Sequence, residues 1–494
     1  AFSTRQYTTH RCIHCIPIKG MRSLLLCSLL ALLVSSAPVD DLEKELTNEG
    51  IDVNELHSVI KSLDAKAEKE AENEDQDELN RLRAANNVAS IPDNATFVNA
   101  DPNSINAQLG LENDLFEGDM TLTAEQMKIL EEADRNGTYS RRQAFKTNMF
   151  YWGQSPTIPY LYTPGYPSAR IPYIEAAMRF WMDNTCATFR RGTTADVARV
   201  EVRNSVGCFS DIGKHGRAQG LSLGESCMNV GLIAHELMHT FGFFHVQARY
   251  DRDTYVSIDM TNILDGQKHN FNKEGLDRTV IYDVPYEFGS VMHYADTDFQ
   301  ANNQRSVIFA RPGYEVWQNS MFGRMPSFYD VYQVNRHFNC FARCRPLNCY
   351  NGGVVDVKNC NQCRCPSGWT GQYCNQRPAG TTTLTATNVD KPLSIQLGVR
   401  GANNGMTYQN KYYLIQAPAG RRIQISAVYR GSYWSNSCSP MGVDIKWKND
   451  QKHAGLQVCL FKQYRPVVTE GNVAFITGYT TGAYMQADLT YRYI

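Results

Sequence analysis

Several things are scarce in this 494-residue chain. Net charge is one: 49 Lys and Arg against 50 Asp and Glu leave a formal charge of −1. That balance gives no electrostatic pull toward nucleic acid or acidic lipid, so neither is expected as a partner. Long apolar runs are another. The one run stands near the N-terminus, in MRSLLLCSLLALLVSSAPV (Met21 to Val39). Its apolar centre is too short to span a bilayer, Arg22 precedes it and small residues follow, which is the pattern of a secretory signal peptide over 21–37. Residues 1–20 contain no Met and precede Met21. They read as translated leader outside the working protein. No membrane span is expected beyond the signal.

Cysteine is absent from residues 38–142, which carry acidic and Ala-rich runs instead. Of the 15 cysteines, Cys12, Cys15 and Cys27 fall in or before the signal peptide. Twelve remain, an even number that suits an oxidised, extracellular framework. Leu56, Val59, Ile60 and Leu63 recur at helical spacing, and the charged run after them reads as a solvated helix or an unstructured tract. Thr123 and Gln126 fit a capping box before LTAEQMKILEEA. Asn94 and Asn136 open N-glycosylation sequons.

After SRRQAF the composition changes to aromatics and Pro, then to a Cys-bearing segment over 143–343. Ile174 to Phe189 has helical periodicity, and ARVEV (198–202) and SVIFA (306–310) read as strands. Residues 344–375 hold six cysteines, Cys344, Cys349, Cys360, Cys363, Cys365 and Cys374, in a stretch too short to bury much core, so disulfides must staple it. From 376 to 494, alternating runs parted by Gly, Pro and Asn predict an all-β sandwich, with Cys438 and Cys459 as its cysteines.

The chemistry concentrates in HELMHTFGFFHV. His235 and His239, at i and i+4, share a helix face, Glu236 stands beside the first, and Gly242 permits the sharp turn that returns His245 to the same point. Three histidines with an open fourth position describe a catalytic zinc site rather than a closed structural one, with Glu236 as general base. The extended HExxHxxGxxH pattern also requires a Met-turn, and SVMHY supplies Met292.

Together, HELMHTFGFFH, RYDRD and SVMHY resemble the astacin family of zinc endopeptidases. The resemblance implies an α+β metzincin domain with a twisted sheet and an active-site helix, and one Zn2+. It implies that Tyr294 is a displaceable fifth ligand that swings to the oxyanion. It also implies pairs Cys186–Cys340 and Cys208–Cys227, and an edge strand for substrate at LSLG (Leu221 to Gly224). LFEGDM (115–120) resembles the family's propeptide switch, which makes Asp119 a metal ligand in the zymogen. The mature N-terminus then falls at Gln143, after cleavage at Arg142 by an activating protease. Where the family has a Glu after the third His to meet that N-terminus, this chain has Val246, which cannot form an ion pair. The six-Cys stretch resembles an EGF-like module, implying Cys344–Cys360, Cys349–Cys363 and Cys365–Cys374. Residues 376–494 resemble a CUB domain, a module for a matrix or protein partner.

The expected function is a secreted zymogen of a zinc endopeptidase that cuts extracellular proteins or peptides. The rival is a catalytically weak secreted protein that binds matrix through its C-terminal modules. Retention of Glu236 and all three His ligands speaks for the enzyme. An exopeptidase of another HExxH family would take a distant Glu as third ligand, which His245 and Met292 oppose.

Overall fold

The computed structural model describes residues 51–71, 101–135 except 112, and 150–494 apart from 275–279, 303–304, 319, 403–404, 432–437, 439 and 462–463; Arg81 and scattered positions of 39–48 are also described. The leader, the whole signal segment 21–37, Asn94, Asn136, Arg142 and Gln143 lie outside the described residues. Among the described residues no helix is long and apolar enough to cross a membrane.

The central sheet has six strands: β1 Met120–Thr121, β2 Thr157–Tyr162, β3 Thr188–Arg191, β4 Arg199–Arg203, β5 Cys208–Asp211 and β6 Ala218–Leu223. Their spatial order is β1-β5-β6-β4-β2-β3. All neighbours run parallel except β5 and β6. The apolar positions of β4, Val200 and Val202, alternate with polar ones and are buried, as one packed face requires. Two helices pack beside the sheet. Ile171–Asn184 buries Ile174, Ala177, Met178 and Trp181, and the Trp181 indole donates to the Ala234 carbonyl of the second helix at 3.0 Å.

That second helix, Val230–Phe241, carries the first two histidines. Asn229 caps it, its Oδ1 accepting from the Gly231 and Leu232 amides (2.8 and 3.3 Å). Every residue from Gly231 to Phe241 is buried, so tertiary packing on all sides holds it rather than an amphipathic stripe.

Two sequence expectations shift. The periodic run from Ile174 does not stay helical to Phe189: the helix ends at Asn184 and Thr188 begins β3. The Cys186–Cys340 disulfide lies between the two. LSLG is not an edge. Leu221 pairs with Ser210 on one side and Val202 on the other, so β6 is interior. This domain's own strands end at β3 on one side and β5 on the other, and β1 from the preceding segment covers β5.

That segment folds onto the domain. Helix Val53–Ala71 packs with Leu56, Val59 and Ile60 in a core shared with Leu115, Phe116, Met120, Phe209 and Phe244. Thr123 and Gln126 form the expected reciprocal cap: the Thr123 amide donates to Gln126 Oε1 (2.8 Å) and the Gln126 amide to Thr123 Oγ1 (3.2 Å). Toward the C-terminus, a small module is stapled by Cys344–Cys360, Cys349–Cys363 and Cys365–Cys374. A five-stranded and a four-stranded sheet then share one apolar core, with Cys438–Cys459 linked. This last unit touches the central domain next to the Met-turn: Glu287 accepts from the Ala454 amide at 3.0 Å, and the Arg324 guanidinium lies 3.6 Å from the Tyr479 ring centre.

Candidate metal centre

The helix ends at Gly242, whose φ of +107° suits a residue without a β-carbon. Its amide bonds back to the His239 carbonyl at 2.7 Å, and the chain turns to bring His245 opposite His235 and His239. Val246 is buried in the apolar core, and its amide donates to the Met292 carbonyl at 2.8 Å. The third histidine is thereby tied to the Met-turn through backbone, independent of any charge at position 246.

Each imidazole is oriented by an acceptor on Nδ1. His235 Nδ1–H donates to the Val291 carbonyl (2.6 Å) and His239 Nδ1–H to the Phe243 carbonyl (2.7 Å). His245 Nδ1–H donates to Glu117 Oε2 (2.7 Å). Carbonyls and carboxylates only accept, so the proton sits on Nδ1 and each Nε2 offers a lone pair. The Nε2 atoms of His235 and His239 stand 3.0 Å apart. Asp119 Oδ2 lies 3.0 Å from His235 Nε2 and 3.2 Å from His245 Nε2, and its Oδ1 lies 3.3 Å from His239 Nε2.

Lone pairs and a carboxylate facing one another repel unless a cation sits between them. Zinc bonds of ~2.0–2.1 Å at tetrahedral angles separate ligands by roughly 3.3 Å, close to these spacings. The four residues are fully enclosed. The donor set therefore fits Zn2+.

Glu236 sits beside this cluster without belonging to it. It is fully buried, and neither carboxylate oxygen has a hydrogen-bond partner among the described residues. Burial, then the charge of Asp119, pushes its pKa well above the carboxylate range. The Tyr294 ring lies 4.6 Å from that of His245, and its hydroxyl donates to the Glu117 carbonyl at 2.6 Å. With Asp119 in the site, that hydroxyl is committed to the same segment.

Asp330 went unnoticed in the sequence. Its carboxylate accepts from Ser290 Oγ (2.5 Å) and the Val291 amide (3.1 Å), fixing the Met-turn, while also capping helix Phe328–His337 through the Ser327 amide (2.7 Å). The signal was present as Ser327-x-x-Asp330, but capping gave no hint of the second duty. Asn106 was also missed. Its side chain accepts from the Cys208 amide (2.8 Å) and donates to the Cys208 and Gly118 carbonyls (2.7 and 2.9 Å). It pairs with the β5 edge as a strand would, and holds the turn ahead of Asp119.

Gly118 makes that turn, with φ of +75°. A β-carbon there would lie 2.3 Å from Asn103 Oδ1 and 2.6 Å from Phe299 Cζ. Gly118→Ala is expected to weaken docking of Leu115–Met120 by about 1–3 kcal/mol. Limited proteolysis should then cut this segment faster than in wild type; unchanged protection would show that the turn is not needed for docking.

With this geometry in hand, comparison with known proteins is decisive. The family model for astacin peptidases matches residues 144–339. Zinc metalloproteinase nas-27 of Caenorhabditis elegans is 30% identical over 418 residues, 80% of this chain and 94% of that protein. The chain belongs to the astacin family. Zinc metalloproteinases nas-31 and nas-28 of the same nematode are 33% and 35% identical over 403 and 322 residues, or 78% and 63% of this chain. The chain spans just under two thirds of the length of these two, 65% and 64%. Among solved structures, the hatching enzyme zinc-protease HCE-1 of Oryzias latipes is 32% identical, covering 99% of that chain and 40% of this one, with a TM-score of 0.37. Zinc is the metal that astacin membership assigns to the cluster, and the donor set agrees.

Proposed function

We propose that this chain is the secreted zymogen of a zinc endopeptidase that hydrolyses internal bonds of extracellular proteins or peptides. One observation carries the reading: three imidazole lone pairs converge beside an unpartnered buried glutamate, and a carboxylate from the preceding segment closes the remaining approach.

When held by His235, His239 and His245, zinc supplies a Lewis acid that polarises a peptide carbonyl and activates water. Glu236, buried beside the cluster with no hydrogen-bond partner among the described residues, is placed to accept the water proton and hold it for the leaving amine. Tyr294, released from Glu117, can donate its hydroxyl to the developing oxyanion or serve as the fifth ligand that the family resemblance implies. An extended substrate would pair with β5, taking the ladder positions that Met120, Thr121 and Asn106 now fill. This moves the substrate strand from LSLG to Cys208–Asp211.

In this reading residues 38–142 are the propeptide, an activating protease cuts after Arg142, and Gln143 begins the mature chain. Disulfides and the signal-like segment support secretion. The stapled module is then EGF-like and the terminal sandwich CUB-like, the latter offering a surface to a matrix or protein partner. Asn94 and Asn136 would carry glycans.

The test uses quenched peptides blocked at both ends, given to the trypsin-trimmed chain with and without a zinc chelator. Chelator-sensitive cleavage at internal bonds is expected. No cleavage by zinc-loaded, correctly trimmed protein would move the weight to the matrix-binding reading.

A further inference from the structure

The three histidines are not braced alike. His235 and His239 give their Nδ1 protons to the Val291 and Phe243 carbonyls, which belong to the catalytic domain and stay with it. His245 gives its proton to a carboxylate, Glu117, which lies in the segment read above as propeptide. Glu117 is 1% exposed. Its Oε2 also faces the His245 amide at 3.3 Å, and its own carbonyl accepts the Tyr294 hydroxyl. Two successive residues with positive φ, Glu117 at +46° and Gly118 at +75°, turn the chain so that the carboxylates of Glu117 and Asp119 reach opposite nitrogens of one imidazole. A left-handed glutamate is uncommon and needs surroundings that hold it.

From this asymmetry we infer that Glu117 makes the precursor the tighter zinc binder: the propeptide braces the third ligand with a charged outer partner, and the catalytic domain gives up that brace when the propeptide leaves. The inference rests on the zymogen reading above. A carboxylate behind a metal-bound imidazole fixes the ring and strengthens its Nε2 donor, and losing such a partner typically costs about 10–100-fold in metal affinity. A charge-assisted bond is also stronger than the neutral ones behind His235 and His239. Asp119 and Glu117 thus divide the work: one fills the open position on the metal, the other strengthens a ligand without touching the metal. The precursor is then the form that captures zinc and carries it to where the enzyme is released.

The experiment measures zinc affinity of the intact precursor, stripped and retitrated against a chromophoric chelator, for wild type, Glu117→Ala and Glu117→Gln. Asp119 is kept in all three. Glu117→Ala is expected to bind zinc about 10–100-fold more weakly, and Glu117→Gln, which keeps an uncharged acceptor, by less. Should the alanine variant fail to fold, the glutamine variant carries the comparison. Removing the propeptide takes away Asp119 as well as Glu117, so it serves as an identity control: wild type and variants then become the same chain and should share one affinity. Wild-type affinity in both variants, or wild-type affinity unchanged on removal of the propeptide, would overturn the inference while leaving the zinc site intact. Absence of zinc from every form would instead overturn the metal reading itself.

Discussion

Glu236→Ala is expected to lower kcat/KM of the trimmed enzyme by roughly 10²–10⁴-fold, the usual contribution of a positioned general base, while zinc content stays unchanged. Two roles are separated within one helix turn. His235 and His239 project into the ligand cluster, whereas Glu236 lies beside it, buried and without a hydrogen-bond partner among the described residues. No ligand orientation depends on it: the His235 and His239 Nδ1 atoms are held by the Val291 and Phe243 carbonyls, which stay with the trimmed enzyme, and His245 Nδ1 is held in the precursor by Glu117. A buried, unpartnered carboxylate is a cost to the fold, so its loss should not lower the melting temperature by more than the small cavity does. Three readouts are needed together: kcat/KM on a quenched peptide, zinc per chain, and Tm. A variant that keeps activity within tenfold of wild type would remove Glu236 from the chemistry. A variant that loses zinc would show that the helix, not the base, had been damaged.

Asp119→Ala carries the second large effect, in the opposite direction. The intact precursor should gain chelator-sensitive cleavage at least about tenfold above the wild-type precursor, without any cut in the chain. Asp119 contributes a carboxylate within 3.0–3.3 Å of all three imidazoles, and an oxygen there competes directly with water for the open position. Activity should nevertheless remain below that of the trimmed enzyme. Met120 and Thr121 still pair with Ser210 and Asp211, Asn106 still holds both backbone groups of Cys208, and Glu117 still occupies Tyr294. The strand proposed to take substrate and the hydroxyl proposed to meet the oxyanion therefore stay partly blocked. Peptide cleavage and intact mass, measured on the same sample, distinguish unlatching from trimming. A fully silent Asp119→Ala precursor would mean that strand blockage alone keeps it off.

The metal cluster was legible in the sequence because its geometry is local. The i, i+4 pair, a glycine three residues on and a histidine three further compress the site into eleven residues, and helix geometry with one left-handed turn does the rest. Thr123 and Gln126 were legible for the same reason. What sequence could not supply was partnership across the chain. Glu117 and His245 are 128 residues apart, Asn106 and Cys208 are 102 apart, and Asp330 meets the Met-turn 40 residues from Ser290. In each case an ordinary polar residue takes its function from what the fold sets against it. The strand order failed for a related reason. LSLG alternates and CFSD does not, yet the topology places β6 inside the sheet and β5 at an edge of the domain's own strands. Val246 marked a departure from the family pattern, and the structure shows a buried apolar residue whose backbone, not its side chain, ties the third ligand to the Met-turn.

The most direct test of the central claim is to measure zinc and cleavage in one preparation before and after the propeptide is removed. About one zinc per chain is expected throughout, with silence before trimming and chelator-sensitive cleavage of internal peptide bonds after it. Equal cleavage before and after, or a trimmed chain that is active with no zinc bound, would contradict the claim.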